Sequence, residues 1–477
     1  MDNFLTLFKN PKKILVFFII LLIGSTFRLY NLNFDGFWID EMITFWVADP
    51  NIPIKETILR NFDADLHFLF NYILKIYFFI FSYDINLARY LTAVLGIFSM
   101  LSIFYLSLLL KEKRLLFLIF LVSANIYLIK FSQELRSYSL MFFLTSLSLI
   151  FFFKITEKNL KKKKLFTFFF VLINILIVLT HIYGLIIIFS YIIFELITYL
   201  KFKKKNFYLL ISNLISGIFS FFFLLFYISN ITHSADWFPE IKLKFFTNFY
   251  FSNFFGSRIV GLFHLILLVY LIVQSKILVF KKYDQKLILI ILLIFSYLIP
   301  ISYSYFIKPI LQSKYIIFVI IPIITLTVNF MDFIKNIILK KTLIFLTILF
   351  TIINLSTETT LKQFFYERSI HKPDLKSAFY MISNSQHRDY SFNIEKGNWT
   401  SEKNLNGIIK NYSEKYIELI NLKLNYTDFN KVKTKKFLWL ICLTDLNKKC
   451  DLPASLTNSI ILKQENFNSV NMKLLKL

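Results

Sequence analysis

The chain has 477 residues, 57% apolar and 19% aromatic, with 60 Phe, nine Gly and only 17% charged residues. No water-soluble fold of this size has an interior for that much hydrocarbon, and a disordered chain needs the opposite composition, so both classes are excluded. The net charge of +25 would mark a nucleic-acid binder among soluble proteins, but here it has first to be read against membrane topology.

Crossing about 30 Å of hydrocarbon takes roughly 17–25 apolar residues. Eleven runs are read as spans, several at the short end, near 14–30, 87–110, 115–131, 138–154, 165–181, 183–200, 207–229, 259–280, 287–306, 314–331 and 342–356. The first follows a basic segment but leads into Arg28 and FDGFWIDE without a small-residue cleavage site, which predicts a retained anchor. The run 67–81 is short and carries Lys75, which predicts an interfacial or re-entrant helix. From about 357 the composition turns polar. FLWLICL at 437–443 reads as a buried strand and 374–385 as a helix, so 357–477 is expected to form a soluble α/β domain. Both cysteines, Cys442 and Cys450, fall in it. A disulfide and two free thiols are both compatible with their spacing.

Charge decides sidedness. With the N-terminus inside and the spans alternating, the inner segments hold 22 basic and 5 acidic residues, among them KEKR at 111–114 and KFKKK at 201–205. The rest of the membrane part holds 13 and 12, and the tail 19 and 12. Counting 67–81 as a span would put the lysine clusters outside, against the positive-inside rule. The expected protein is therefore an all-α polytopic protein of the plasma (inner) membrane, residues 1–356. Its N-terminus is cytoplasmic and its α/β domain, 357–477, extracytoplasmic. The excess charge orients the chain, and no nucleic-acid partner is expected.

Non-lysine polar residues gather on the outer side. Asp40-Glu41 lies in the apolar frame FWIDEMITFW, where carboxylates are desolvated, which costs stability unless they are used or paired. On a helix such neighbours point about 100° apart, which predicts different jobs; complementing a helix dipole is the plainer alternative. The first outer loop also brings Asp65 and His67, and Arg89 opens the second span. The turn QELRSY at 133–138 packs Glu134, Arg136 and Tyr138 together, either as an internal acid–guanidinium pair or as a phosphate-binding group. His181 and Tyr183 (THIYG), His233 and Asp236, then Lys308 and Lys314 follow on the same side. The histidines are too scattered for a zinc site. Asp63-Ala64-Asp65 could bind a divalent metal, but it reads better as a cap for a helix starting near 66, and no cofactor is expected. There is no Walker or Rossmann glycine pattern, so nucleotide use is not expected. A carboxylate with several cations at a membrane surface suits a lipid-phosphate substrate, the cations holding phosphate and the acid deprotonating an acceptor hydroxyl.

The ordered series of motifs resembles a known family. It comprises the Asp-Glu pair after the first span, a D-x-H segment (Asp65 to His67), LARYLTAVLGIFS, QELRSYSL, HIYG, SKYIIFVIIP and finally KPDLKSA. It is similar to bacterial relatives of dolichyl-phosphate-mannose:protein mannosyltransferases, glycosyltransferase family 39-like enzymes with the GT-C membrane fold. Phe68 and Leu69 stand where family members often have prolines. The resemblance implies transfer of a sugar from a polyprenyl-phosphate donor to a glycan, lipid or protein acceptor on the non-cytoplasmic face. It implies Asp40 as base, Glu41 as the adjacent positioning acid, and Arg136 and Lys314, with Arg89 and Lys308, at the donor phosphate. His67, Asp65, Glu134, Tyr138, His181 and Tyr183 would line the substrate site. A transporter or flippase is the alternative class, but such proteins place ionisable groups at mid-membrane and break helices with Gly or Pro. An oligosaccharide ligase or polymerase working from a lipid carrier is a third option.

Overall fold

A computed structural model describes residues 10–477 apart from 66, 158–161, 205, 231–237, 278–283, 357–369, 394–400, 429–431, 433 and 445–449. The expected loop residues His233 and Asp236 and the expected domain boundary at 356/357 lie outside the described residues.

Local sequence starts the helices. Asn10 accepts from the amides of Lys12 and Lys13, and Pro11 takes the first helical position of Pro11–Leu29. Asp84, Asn125, Ser257 and Asn336 cap the helices that begin at Ile85, Ile126, Arg258 and Ile337 in the same way. Among the described residues eight helices are long and apolar enough to cross a membrane: Ile85–Leu109, Tyr138–Thr156, Lys163–Thr180, Gly184–Phe202, Phe207–Asn230, Arg258–Ser275, Leu287–Phe306 and Ile337–Leu355. The chain is a multi-pass membrane protein. Pro11–Leu29 packs beside the first of them and exposes Leu15, Phe18, Leu22 and Ile23.

Two of the expected spans are not uniform helices. The run 115–131 consists of Leu115–Ser123 and Ile126–Ser132, bent by 52°. Asn125 starts the second piece by accepting from the Leu128 amide at 2.9 Å, while its own amide group donates to the Phe254 carbonyl. Arg28, fully buried, meets the open end of the first piece. It donates to the carbonyls of Val122 (3.2 Å), Ser123 (3.0 Å) and Gly24 (2.8 Å). A cation on the carbonyl end of a helix is a favourable stop. The run 314–331 passes through a 3₁₀ turn at Ile317–Val319 and is α-helical over Ile320–Phe330. The short run 67–81 forms Phe68–Phe81, roughly 21 Å long at 1.5 Å per residue and too short to cross. It buries Phe70, Leu74 and Phe78 and exposes Phe79 and Ile80. Lys75 turns back to the carbonyls of Asp49 and Ile52.

The bundle has two distinct ends. At one, Arg114 pairs with Asp332 at 2.6 Å. Glu112 there accepts from Asn329 (3.0 Å), which in turn accepts from Lys286 (2.7 Å), and Gln285 donates to the Thr156 carbonyl. The lysine-rich loops thus meet each other. The polar loops after residues 30, 132, 180 and 307 meet at the opposite end, as described below.

The tail contributes helices Leu375–Ser383 and Glu402–Leu419 and a five-stranded sheet. In chain order the strands are β1 (Asp389–Asn393), β2 (Asn425–Tyr426), β3 (Phe437–Leu443), β4 (Ile460–Phe467) and β5 (Val470–Lys476). Their order across the sheet is β2-β1-β3-β5-β4. β1 runs parallel to β2 and β3 (Tyr390 opposite Trp439), while β5 is antiparallel to β3 and β4 (Leu440 opposite Lys473). Central position explains the unbroken apolar run of β3, buried from Leu438 to Leu443. Cys442 and Cys450 are joined in a disulfide.

Candidate active site

FWIDEMITFW folds as the short helix Ile39–Val47, pinned by buried Met42, Phe45, Trp46 and Val47. Asp40 and Glu41 occupy its first turn, where they complement the helix dipole, but each also has a partner of its own. Their side chains leave the helix in different directions and enter different surroundings.

Glu41 points inward and is completely buried. Arg89 grips it with two bonds of 2.8 Å, the Lys372 ammonium sits 2.6 Å from Oε2, and the Leu135 amide donates to Oε1 at 2.8 Å. Burial alone would raise the Glu41 carboxyl. The charges of Arg89 and Lys372 and the bonds from Arg89 and Leu135 outweigh it and hold the group down to about 2. Arg89 also donates to the carbonyls of Leu32 (2.6 Å), Asp35 (2.8 Å) and Gly36 (3.0 Å), so all five of its N–H groups are occupied. Arg89 thus spends its donors on Glu41 and on the loop backbone, and the Glu41 carboxylate is enclosed by Arg89, Lys372 and the Leu135 amide.

Asp40 points the other way and remains partly open, with 23% of its side chain exposed. Its Oδ2 lies 3.1 Å from the Lys314 ammonium. Lys314 is surrounded by the rings of Trp38 (5.0 Å), Tyr315 (5.5 Å) and Tyr138 (6.0 Å). These faces favour a cation where water is scarce. Lys308 lies six residues earlier, beyond helix Leu287–Phe306, with its amide on the Tyr303 carbonyl; Lys314 is the late-span lysine that reaches Asp40.

Arg136 fixes the Asp40 turn. Its Nη1 donates to the Asp40 carbonyl (3.0 Å) and to Thr44 Oγ1 (2.7 Å), and Nη2 donates to His67 Nε2 at 2.8 Å. That assignment leaves the His67 proton on Nδ1, which faces the Thr180 carbonyl (3.3 Å) and Ser137 Oγ (3.1 Å). Burial, and then the Arg136 charge, push the His67 imidazole well below its ordinary range, so it is neutral. His67 is the N-terminal cap residue of Phe68–Phe81, without a side-chain capping bond. The helix expected to start near 66 thus starts at Phe68, with His67 rather than Asp63 or Asp65 in the cap position; the Asp65 side chain lies outside the described part of the structure. Asp65 closes the π-turn Asn61–Asp65, and Asp63 accepts from Asn404 of the tail at 3.4 Å.

The remaining expected residues converge here. His181 accepts from the Tyr183 amide (3.1 Å), and its ring stands 5.0 Å from His67 and 4.8 Å from Tyr315. Tyr183 donates to the Ile310 carbonyl at 2.5 Å, tying the THIYG turn to the Lys314 segment. The Tyr138 ring is 6.3 Å from Tyr315. Glu134 is buried and within electrostatic reach of Lys372 and Tyr138; its Oε2 has no hydrogen-bond partner among the described residues. Among them, no group of three or more His, Cys, Asp or Glu gathers as a metal site would require.

The tail closes over this frame. Helix Glu402–Leu419 lies on helix Ile39–Val47. Tyr412 stacks on Phe37 and accepts from its amide at 2.9 Å, and Tyr83 donates to Asn411 at 2.8 Å. Gly36 permits the approach: a Cβ there would lie 3.2 Å from the Pro373 carbonyl and 3.3 Å from the Tyr412 hydroxyl. Sequence reasoning gave no role to Lys372, Thr44, Trp38 or Tyr315. Lys372 and Tyr315 nonetheless stand inside the quoted motifs KPDLKSA and SKYIIFVIIP.

No family model and no curated protein sequence matches the chain. Solved structures do. ArnT from Cupriavidus metallidurans bound to undecaprenyl phosphate superposes with a TM-score of 0.56 over 97% of both chains at 9% identity. Its apo state gives 0.59 at 10% identity, again over 97% of both. Archaeal oligosaccharyltransferase AglB from Archaeoglobus fulgidus, in complex with an inhibitory peptide and a dolichol-phosphate, gives 0.55 at 12% identity over 92% of this chain and 70% of that one. At such identities the likeness establishes the fold, which is of the GT-C type.

Proposed function

We propose that this chain is an integral membrane glycosyltransferase that moves a sugar from a polyprenyl-phosphate donor to an acceptor hydroxyl, with Asp40 as general base. The observation that carries the reading is the contrast within one turn: Asp40 keeps an open carboxylate beside Lys314 while the acid next to it is sealed. The fold adds support, since ArnT is known bound to undecaprenyl phosphate and AglB with dolichol-phosphate. By the charge of the loops, the Asp40 end of the bundle is the non-cytoplasmic face.

The chemistry follows from the arrangement. Asp40 takes the proton of the acceptor hydroxyl as its oxygen attacks the anomeric carbon, and the bond to the donor phosphate breaks on the opposite side. Lys314 neutralises the charge that grows on the departing phosphate. Arg136 acts through the Asp40 carbonyl and Thr44, setting where the base stands. Glu134, a substrate-site residue by the family resemblance, stays part of this reading; its buried Oε2 has no hydrogen-bond partner among the described residues. The cargo is a hexosyl or pentosyl unit, as the resemblance to the family 39-like enzymes implies.

The test is direct. Mass spectrometry of envelope lipids, glycans and proteins from a deletion strain should show one missing sugar. The purified chain should then release polyprenyl phosphate from the matching lipid-linked sugar only when acceptor is present. No difference in any fraction, with no acceptor-dependent release, would sink the reading.

A further inference from the structure

A groove of about 420 Å³ opens between helices Ile85–Leu109, Tyr138–Thr156 and Lys163–Thr180, in the half of the bundle away from Asp40. Its walls are Phe98, Leu101, Phe143, Leu147, Phe151 and Phe166. Ser102 forms part of its floor, with its hydroxyl bonded to Ser146 and the Ser99 carbonyl, so the floor makes little polar demand on an occupant. The volume lies in the range of ligand pockets.

Length and charge say what fits. The helix rise from Phe143 to Lys154 carries the groove roughly 16 Å, against about 15 Å for half of a hydrocarbon core of about 30 Å. An acyl chain of one leaflet spans that distance. At the rim stands half-buried Lys154, its ammonium 5.8 Å from the Tyr105 ring. Lys163 and Lys164 open the third wall helix, whose first turn has no side-chain cap. The described charges of 150–167 are Lys154, Lys162, Lys163 and Lys164 against exposed Glu157. An anionic headgroup there meets clustered cations and the positive end of a helix dipole, whereas a headgroup without net charge gains much less.

We propose that this groove binds one acyl chain of an anionic glycerophospholipid in the leaflet opposite the Asp40 site, with the headgroup phosphate on Lys154. The site is separate from the one assigned to transfer and does not rest on that assignment.

The full chain, reconstituted with equal parts phosphatidylglycerol and phosphatidylethanolamine and released in mild detergent, should retain phosphatidylglycerol preferentially by native mass spectrometry. Lys154→Gln should reduce that preference about fivefold, the equivalent of ~1 kcal/mol for one basic residue at an anionic surface. Leu147→Trp, which fills the groove without changing charge, should abolish retention of both lipids; Leu101→Trp on another wall is the second probe if the first fails to fold. Equal retention of the two lipids by the unaltered chain overturns the proposal. So does phosphatidylglycerol retention that survives both the charge and the groove-filling change.

Discussion

The two sides of helix Ile39–Val47 carry the same functional group and treat it in opposite ways. On the inner side Glu41 is sealed by Arg89, Lys372 and the Leu135 amide. On the outer side Asp40 has one lysine and an opening. A buried carboxylate held by two cations is a clamp: it joins the first loop, the Arg89 helix and the tail, and any exchange with substrate would leave charges unpaired. A partly open carboxylate paired with one lysine can exchange that partner for a substrate hydroxyl. On the function proposed above, chemistry and scaffold are divided between neighbouring residues.

The division predicts opposite signatures for two nearly isosteric substitutions. Asp40→Asn removes the proposed base and keeps the shape. Transfer should fall by about 10³-fold or more, while the melting temperature stays within the small range of a partly exposed ion pair. Residual turnover within tenfold of the parent would place the base elsewhere.

Glu41→Gln should do the reverse. It strands two buried cations, a loss of about 3–5 kcal/mol, read as a lower melting temperature and faster proteolysis of the tail. Lys372→Met should show a smaller loss of the same kind, since Arg89 still holds the carboxylate. What protein folds should keep much of its turnover. A Glu41→Gln chain that melts normally yet does not turn over would erase the comparison and return Glu41 to the chemistry.

Much of this was legible in the sequence, for local reasons. Apolar runs, lysine-rich loops and the Asp-Glu pair in its aromatic frame are properties of a few adjacent residues. The roles of the cations were not legible, because they depend on contacts far apart in the chain. Arg89 opens a span in the sequence, and nothing local there shows its bonds to Glu41, 48 residues away. Lys372 gains a role only through a partner 331 residues earlier. The bend after Ser123 is likewise invisible in an unbroken apolar run, since it depends on Arg28 arriving from another helix. The disulfide, left open by spacing, depends on where β3 and Cys450 lie in the fold.

The smallest expected effect concerns the residue that supports the open side from behind. His67 accepts from Arg136 through Nε2, and protonation there would set two positive groups 2.8 Å apart. Its folded pKa lies well below the ordinary 6.5, so under mildly acid conditions the unfolded chain takes up a proton that the folded chain refuses. Stability from this group is therefore complete above about pH 6.5 and declines as pH falls below it, by up to about 1.4 kcal/mol per pH unit. His67→Asn keeps an acceptor toward Arg136 but cannot titrate. Its melting temperature should start slightly lower at pH 7.5 and fall less steeply between pH 6.5 and 5 than that of the parent, the difference in slope isolating His67 from the other five histidines. Identical slopes would mean that the imidazole can be protonated within the fold. Arg136, and with it the backbone of Asp40, would then be free to move with pH.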